Sequence, residues 1–202
     1  MNKIIVIILG VVLFISVAGG GIYFYSQQNI AKKDDKASVA TSSSSSKINV
    51  EARDPKKIIV NEKEGGLKDY TFLVSNSPRS KDEISQGAKD YWLKGYTTTV
   101  STSEKVQGLY SVVEQSVSVY KEGSDLSLQL NDAKSEVKKA VPTAQELPCD
   151  VGEKCIGFII EPEKPVFIMA IKENVFITNT QSGTKTDFDV LEKLGKEQFA
   201  KI

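Results

Sequence analysis

The stretch "CIGFIIEPEKPVFIMAIKENVFITNT", Cys155 to Thr180, decides how this chain folds. It breaks into three β-branched and aromatic runs, "CIGFIIE", "PVFIMAIK" and "NVFITNT", separated only by "PEK" and "E". Runs of this kind bounded by turn residues read as strands. A parallel crossover needs a dozen or more residues, so connections this short demand antiparallel neighbours. "EPEKP" is a proline-restricted hairpin loop, and Glu173-Asn174 is the apex of a tight hairpin.

Working upstream, "GSDLSLQLNDAKSEVKKAVP" carries Leu126, Leu130, Ala133, Val137 and Ala140 on one helical stripe. Ser124 is in place to cap this helix and Pro142 to end it. In "LYSVVEQSVSVYK", Val117 and Val119 alternate with Ser116 and Ser118, which fits a strand with one face in water. "YTTTVST", "DYTFLV" and "KKIIV" add further strands. "SKDEISQGAKDYWLKG" reads as a helix. Ser80 and Glu83 have capping-box spacing, Ile84, Ala88, Tyr91 and Trp92 recur at helical intervals, and Gly95 closes it. Downstream, Thr186 and Asp189 can cap a last helix that turns Phe188, Leu191, Leu194 and Phe199 inward.

The order predicts an α+β domain over residues 48–202: a curved antiparallel sheet with about three packed helices. Residues 1–3 form a short tail, and residues 4–25 an apolar run of 22 residues ending in Tyr23 and Tyr25. As a helix this run measures about 33 Å, enough for a hydrocarbon layer of about 30 Å. The sequence therefore predicts an N-terminal transmembrane helix or uncleaved signal anchor, with the lipid bilayer as partner through residues 4–25. The alternative is a signal peptide cut after Ala18, which would release a soluble secreted protein. Lys32, Lys33 and Lys36 after the run favour a cytoplasmic C-terminus by charge counting. Long domains translocate regardless of flanking charge, and the expectation is a C-terminal domain outside the cytoplasm. Residues 26–47 contain "ASVATSSSSSK" and read as a flexible serine-rich linker.

Composition removes several chemistries. The 202 residues carry 26 basic and 26 acidic side chains, so no field of one sign exists to recruit nucleic acid. Histidine is absent. That eliminates imidazole-activated nucleophiles and the commonest metal ligand. The carboxylate pairs Asp34-Asp35, Glu161 with Glu163, and Asp187 with Asp189 read as tether, turn and helix N-terminus rather than acid and base. No catalytic, cofactor-binding or metal-binding constellation is expected.

The only two cysteines, Cys149 and Cys155, flank five residues in "LPCDVGEKC". Paired metal thiolates want two or four intervening residues and a second pair, and a thioredoxin-like site wants Cys-x-x-Cys. A structural disulfide is the leading reading, because it is ordinary chemistry outside the cytoplasm. Free thiols and a redox or metal function are the alternatives. Trp92 reads as core, and the hydroxyls of Tyr91, Tyr96 and Tyr110 at the edge of that aromatic group are the candidate binding surface.

"VSVYKEGSD", a helix, "VGEKCIGFII", the strand pair "VFIMAIKENVFITN" and a final helix together resemble small exported, membrane-anchored domains. These include PsbP-like proteins and extracellular sensor-type domains of bacterial receptor kinases. The resemblance covers Tyr96 to Ile202. The family often has Gly-Asp-Glu where this chain has Gly152-Glu153-Lys154, and the flanking cysteines are a second departure. The resemblance implies an extracytoplasmic, non-catalytic module. With the residue reading it leads to a single-pass membrane-anchored binding domain. An envelope enzyme or thiol-redox accessory using Cys149 and Cys155 is the alternative.

Overall fold

The structure is a computed structural model that describes residues 53–61, 67, 70–102, 111–161, 165–183 and 186–202. The chain forms a one-turn helix α1 (Pro55–Ile58), strand β1 (Phe72–Pro78), a 3-10 turn (Lys81–Glu83), β2 (Trp92–Ser101) and β3 (Val112–Tyr120). It continues with helix α2 (Leu126–Ala140), β4 (Ala144–Leu147), β5 (Lys154–Ile160), β6 (Val166–Lys172), β7 (Val175–Ser182) and helix α3 (Phe188–Ala200).

All seven strands among the described residues join one sheet in the order β1-β2-β3-β7-β6-β5-β4, and every neighbouring pair is antiparallel. After β3 the chain crosses through α2 to the far edge. It then walks back by hairpins until β7 lies against β3. The expected meander of "CIGFIIE", "PVFIMAIK" and "NVFITNT" is β5, β6 and β7. Its near-continuous apolar runs follow from burial on both faces. One face packs Val117, Ile168, Ala170 and Ile177 under α3 and the segment Ile58–Val60. The other packs Phe158, Phe167, Met169 and Phe176 under α2, with Ile84 and Ala88 beside it. Phe158 and Phe167 stack with centroids 5.1 Å apart.

Of the expected fold, a transmembrane helix followed by an α+β domain with about three packed helices, the domain is corrected. The described residues are dominated by the seven-stranded antiparallel sheet, with α2 and α3 the only helices longer than one turn among them. No helix among them is long and apolar enough to cross a membrane. The span expected at residues 4–25, the tail 1–3 and the linker 26–47 lie outside the described residues.

The expected helix in "SKDEISQGAKDYWLKG" is absent. Glu83 Oε1 does accept from the Ser80 N–H at 3.3 Å, but helical structure ends after Lys81–Glu83. The chain then makes turns and enters β2 at Trp92, where pairing with β3 takes the backbone hydrogen bonds a helix would need. Ile84 and Ala88 are still buried. Helical spacing therefore found the inward residues and missed the backbone that carries them.

"KKIIV" is likewise no strand. Asp54 caps α1 by accepting from Lys56 N–H at 3.0 Å, with Pro55 at the first helical position. Asp125 rather than Ser124 caps α2, and Asp187 rather than Thr186 caps α3. The wet face expected for β3 is also corrected. Ser116 and Ser118 are 2% and 1% exposed, because the Arg79 side chain lies over them.

Candidate functional site

Cys149 and Cys155 are joined by a disulfide with Cα atoms 5.4 Å apart. The bond closes the connection of a β-hairpin, since β4 pairs antiparallel with β5. β4, "AQEL", is short and polar and carries no alternating apolar signal, which is why sequence periodicity missed it.

One residue inside the disulfide loop, Val151, is inserted between the sheet and α3. Val151 is 2% exposed and belongs to the core under α3. It lies so near Gly195 that a Cβ there would stand 2.7 Å from a Val151 methyl. Gly152 has φ +69°, and a Cβ on it would stand 2.4 Å from the Ile171 carbonyl oxygen and 2.5 Å from the Phe199 ring. Only glycine fits this turn. Glu153 N–H donates to Ile171 O at 2.8 Å. Asp150 N–H donates to Glu192 Oε1 at 2.7 Å, and Lys196 Nζ meets Asp150 Oδ2 at 3.1 Å.

Magnitudes decide what holds this loop. Burying Val151 contributes about 2 kcal/mol, and each of a few hydrogen bonds about 1 kcal/mol. Ordering its backbone costs about 1–2 kcal/mol per residue. Over the five residues between the cysteines that ordering cost meets or exceeds what the contacts contribute, and the disulfide, worth roughly 2–2.5 kcal/mol on the chain-entropy model, offsets part of it.

The β6–β7 turn adjoins the loop. Glu173 has φ +52°, the one non-glycine positive φ among the described residues. Its N–H donates to Glu153 Oε1 at 3.1 Å. Arg53 pairs with the Glu173 carboxylate and donates to Asn174 Oδ1 at 2.7 Å. Asn174 Nδ2 in turn donates to Tyr120 O at 2.5 Å. The segment entering from the N-terminal side is thereby fastened to this turn.

Two buried polar clusters lie deeper. On the α3 face, Gln115 receives Val60 N–H at 3.0 Å and returns a bond to Val60 O at 2.8 Å. Gln198 Nε2 donates to Gln115 Oε1 at 3.3 Å, and Asn179 Nδ2 to Gln198 Oε1 at 2.7 Å. The backbone of Val60 orients the first amide and so each amide after it. Asn179 Oδ1 is left buried with no partner among the described residues. Gln181 is oriented similarly, accepting from Asp187 N–H at 2.6 Å and donating to Tyr70 OH at 2.5 Å. On the opposite face Arg79 donates to Ser116 and Ser118 at 3.0 and 3.2 Å and pairs with Glu83 at 3.3 Å. Trp92 Nε1 also reaches Ser118 Oγ, at 3.3 Å. Burial here pushes the Tyr120 hydroxyl up to about 12, against smaller opposing effects of the Arg79 charge and a bond with Ser118. Both clusters fasten segments onto the sheet.

The structure describes two of the three candidate tyrosines, Tyr91 and Tyr96. Tyr91 is exposed at the entry to β2. Tyr96 is half-buried on the α3 face, its hydroxyl on Asn76 Oδ1 and Lys56 Nζ 5.8 Å above its ring. Trp92 packs on the other face, and Tyr110 lies outside the described residues. The edge strand β1 beside Tyr96 carries Leu73 and Val74, 54% and 59% exposed, with a register shift between Leu73 and Ser75. At the opposite edge, Glu146 of β4 is held by Lys134 and Lys138 of α2 at 2.6 and 3.1 Å. A shallow depression on α3 is lined by Asp189, Glu192, Lys193, Lys196, Glu197 and Ala200, all from that single helix. Among the described residues no group of three or more acidic or cysteine side chains is arranged to hold a metal ion.

No protein-family model and no curated protein matches this chain.

Proposed function

We propose that this chain is a membrane-tethered, non-catalytic binding domain that works outside the cytoplasm. It is held by its apolar run at residues 4–25 and set off from the bilayer by the serine-rich linker at 26–47. The observation that carries the reading is the Cys149–Cys155 disulfide, with its Cα separation of 5.4 Å. Such bonds persist in oxidising compartments and are rare where thiols are kept reduced. The binding part of the reading is supported by β1, a sheet edge presenting Leu73 and Val74 to solvent while the β4 edge is guarded by an ion-paired glutamate.

The test uses intact cells producing the full chain. A protease that cannot cross membranes should remove the domain from the outside. A thiol reagent applied under denaturing conditions without reductant should leave both cysteines unlabelled. A domain protected from the protease, or two cysteines that label at once, overturns the reading.

A further inference from the structure

We propose that the Cys149–Cys155 disulfide is a removable clasp whose reduction by a dithiol releases α3 and the Ile59–Val60 segment while the sheet stays folded. The residues on both sides of the bond make the connection. Val151 reaches into the core under α3, Gly152 lies against the Phe199 ring, and Asp150 engages Glu192 and Lys196. Three consecutive loop residues thus meet α3 along its length, from Glu192 to Phe199. That helix passes the constraint on. Gln198 joins the amide line to Gln115 and hence to Val60, and Lys201, just beyond the helix, donates to Ile59 O at 2.9 Å. The loop that carries the clasp is reachable, since Asp150, Gly152, Glu153 and Lys154 are all exposed.

The chemistry is a two-electron exchange. One thiolate of the dithiol attacks a sulfur of the Cys149–Cys155 bond and forms a mixed disulfide. Its second thiol, as thiolate, displaces the remaining protein sulfur. The protein gains two electrons and two protons as two thiols, and the reductant leaves as a disulfide. With the bond open, the contacts of the loop do not outweigh its conformational freedom, and Val151 leaves its place beside Gly195. α2 packs in the cluster on the opposite face, which does not include Val151; it meets the loop end through the exposed bond from Lys154 Nζ to Ser127 Oγ at 2.8 Å, and it keeps its packing.

Hydrogen exchange of the full chain in detergent micelles, oxidised and after treatment with dithiothreitol, tests this. Reduction should lower protection by about tenfold or more in α3 and at Val60, leave α2 and β3 unchanged, and reverse on reoxidation. The double substitution Cys149→Ser with Cys155→Ser should match the reduced protein. Val151→Ala with the disulfide intact should loosen α3 and shrink the further loss of α3 protection on reduction; a loss as large as in the parent would overturn the link through Val151. Unchanged α3 protection after complete reduction would make the bond an inert staple and overturn the proposal. Loss of protection throughout α2 and β3 would make it a global cross-link and overturn it equally, as would a bond that the dithiol does not reduce.

Discussion

Gln115 binds Val60 through both halves of its amide, accepting from the N–H at 3.0 Å and donating to the carbonyl at 2.8 Å. A side-chain amide carries the same donor and acceptor as a peptide group, so Gln115 satisfies this buried backbone as a neighbouring strand would. Both residues are essentially inaccessible to water. The segment "KKIIV" therefore lies on the sheet without joining it.

Gln115→Leu should strand the Val60 N–H, the Val60 carbonyl and the Gln198 amide together. Each unsatisfied buried group costs about 1–3 kcal/mol, and partial relaxation brings the expected loss to about 2–4 kcal/mol. Urea denaturation measures it. Gln145→Leu, on exposed β4, should stay within about 0.5 kcal/mol and serves as the control. Equal effects of the two changes would deny Gln115 its role.

Gly152→Ala should destabilise by about 2 kcal/mol or more, because the new methyl meets the Ile171 carbonyl at a backbone conformation that disfavours side chains. Gly87→Ala meets nothing within 4 Å and should be neutral or slightly stabilising. Thermal unfolding of the pair separates a packing effect from a general intolerance of alanine.

Tyr120 sets a prediction at alkaline pH. Its hydroxyl titrates at about 12 in the folded chain, from burial above all, against about 10 when unfolded. A raised folded value means that the stabilising contribution is complete below about pH 10 and is lost as pH rises toward 12. The stability difference between the parent and Tyr120→Phe should shrink over that window. A difference independent of pH between 9 and 12 contradicts the assignment.

At acid pH the relevant group is Glu146. Hydrogen bonds from Lys134, then Lys138, hold its carboxyl below the ordinary value. For a lowered folded value the contribution is present above the unfolded pKa and is lost as pH falls through the folded one. The group is over a third exposed, so the effect should be small and should fade in high salt. Glu146→Gln should flatten this part of the acid-unfolding curve at low ionic strength and change nothing at high ionic strength.

What could be read beforehand tracks how local the governing interactions are. β5, β6, β7 and α2 were legible because periodicity and short connections constrain each within its own span. The disulfide was the leading reading because the spacing of Cys149 and Cys155 fits poorly with metal and redox motifs. The segment from Ser80 to Tyr91 carries a helical period that its backbone does not follow, because its fate rests on β2 pairing with β3, more than 20 residues on. The serines of β3 looked solvated because Arg79, 37 residues from Ser116, gives no local sign that it covers them. Trp92 and Tyr96 stand close together in the sequence, and the register shift at the start of β2 puts them on opposite faces of the sheet.

By itself the sequence determined the antiparallel meander from Cys155 to Thr180 and the apolar stripe of α2. Alternation, turn residues and chain length admit few other arrangements there. Only the tertiary structure decided that β7 closes against β3 and that Gln115 stands in for a strand beside Val60. It also decided that Val151 of "LPCDVGEKC" is buried under α3. Each of these joins groups far apart in the chain, and such contacts depend on shape and hydrogen-bond geometry that no local pattern encodes.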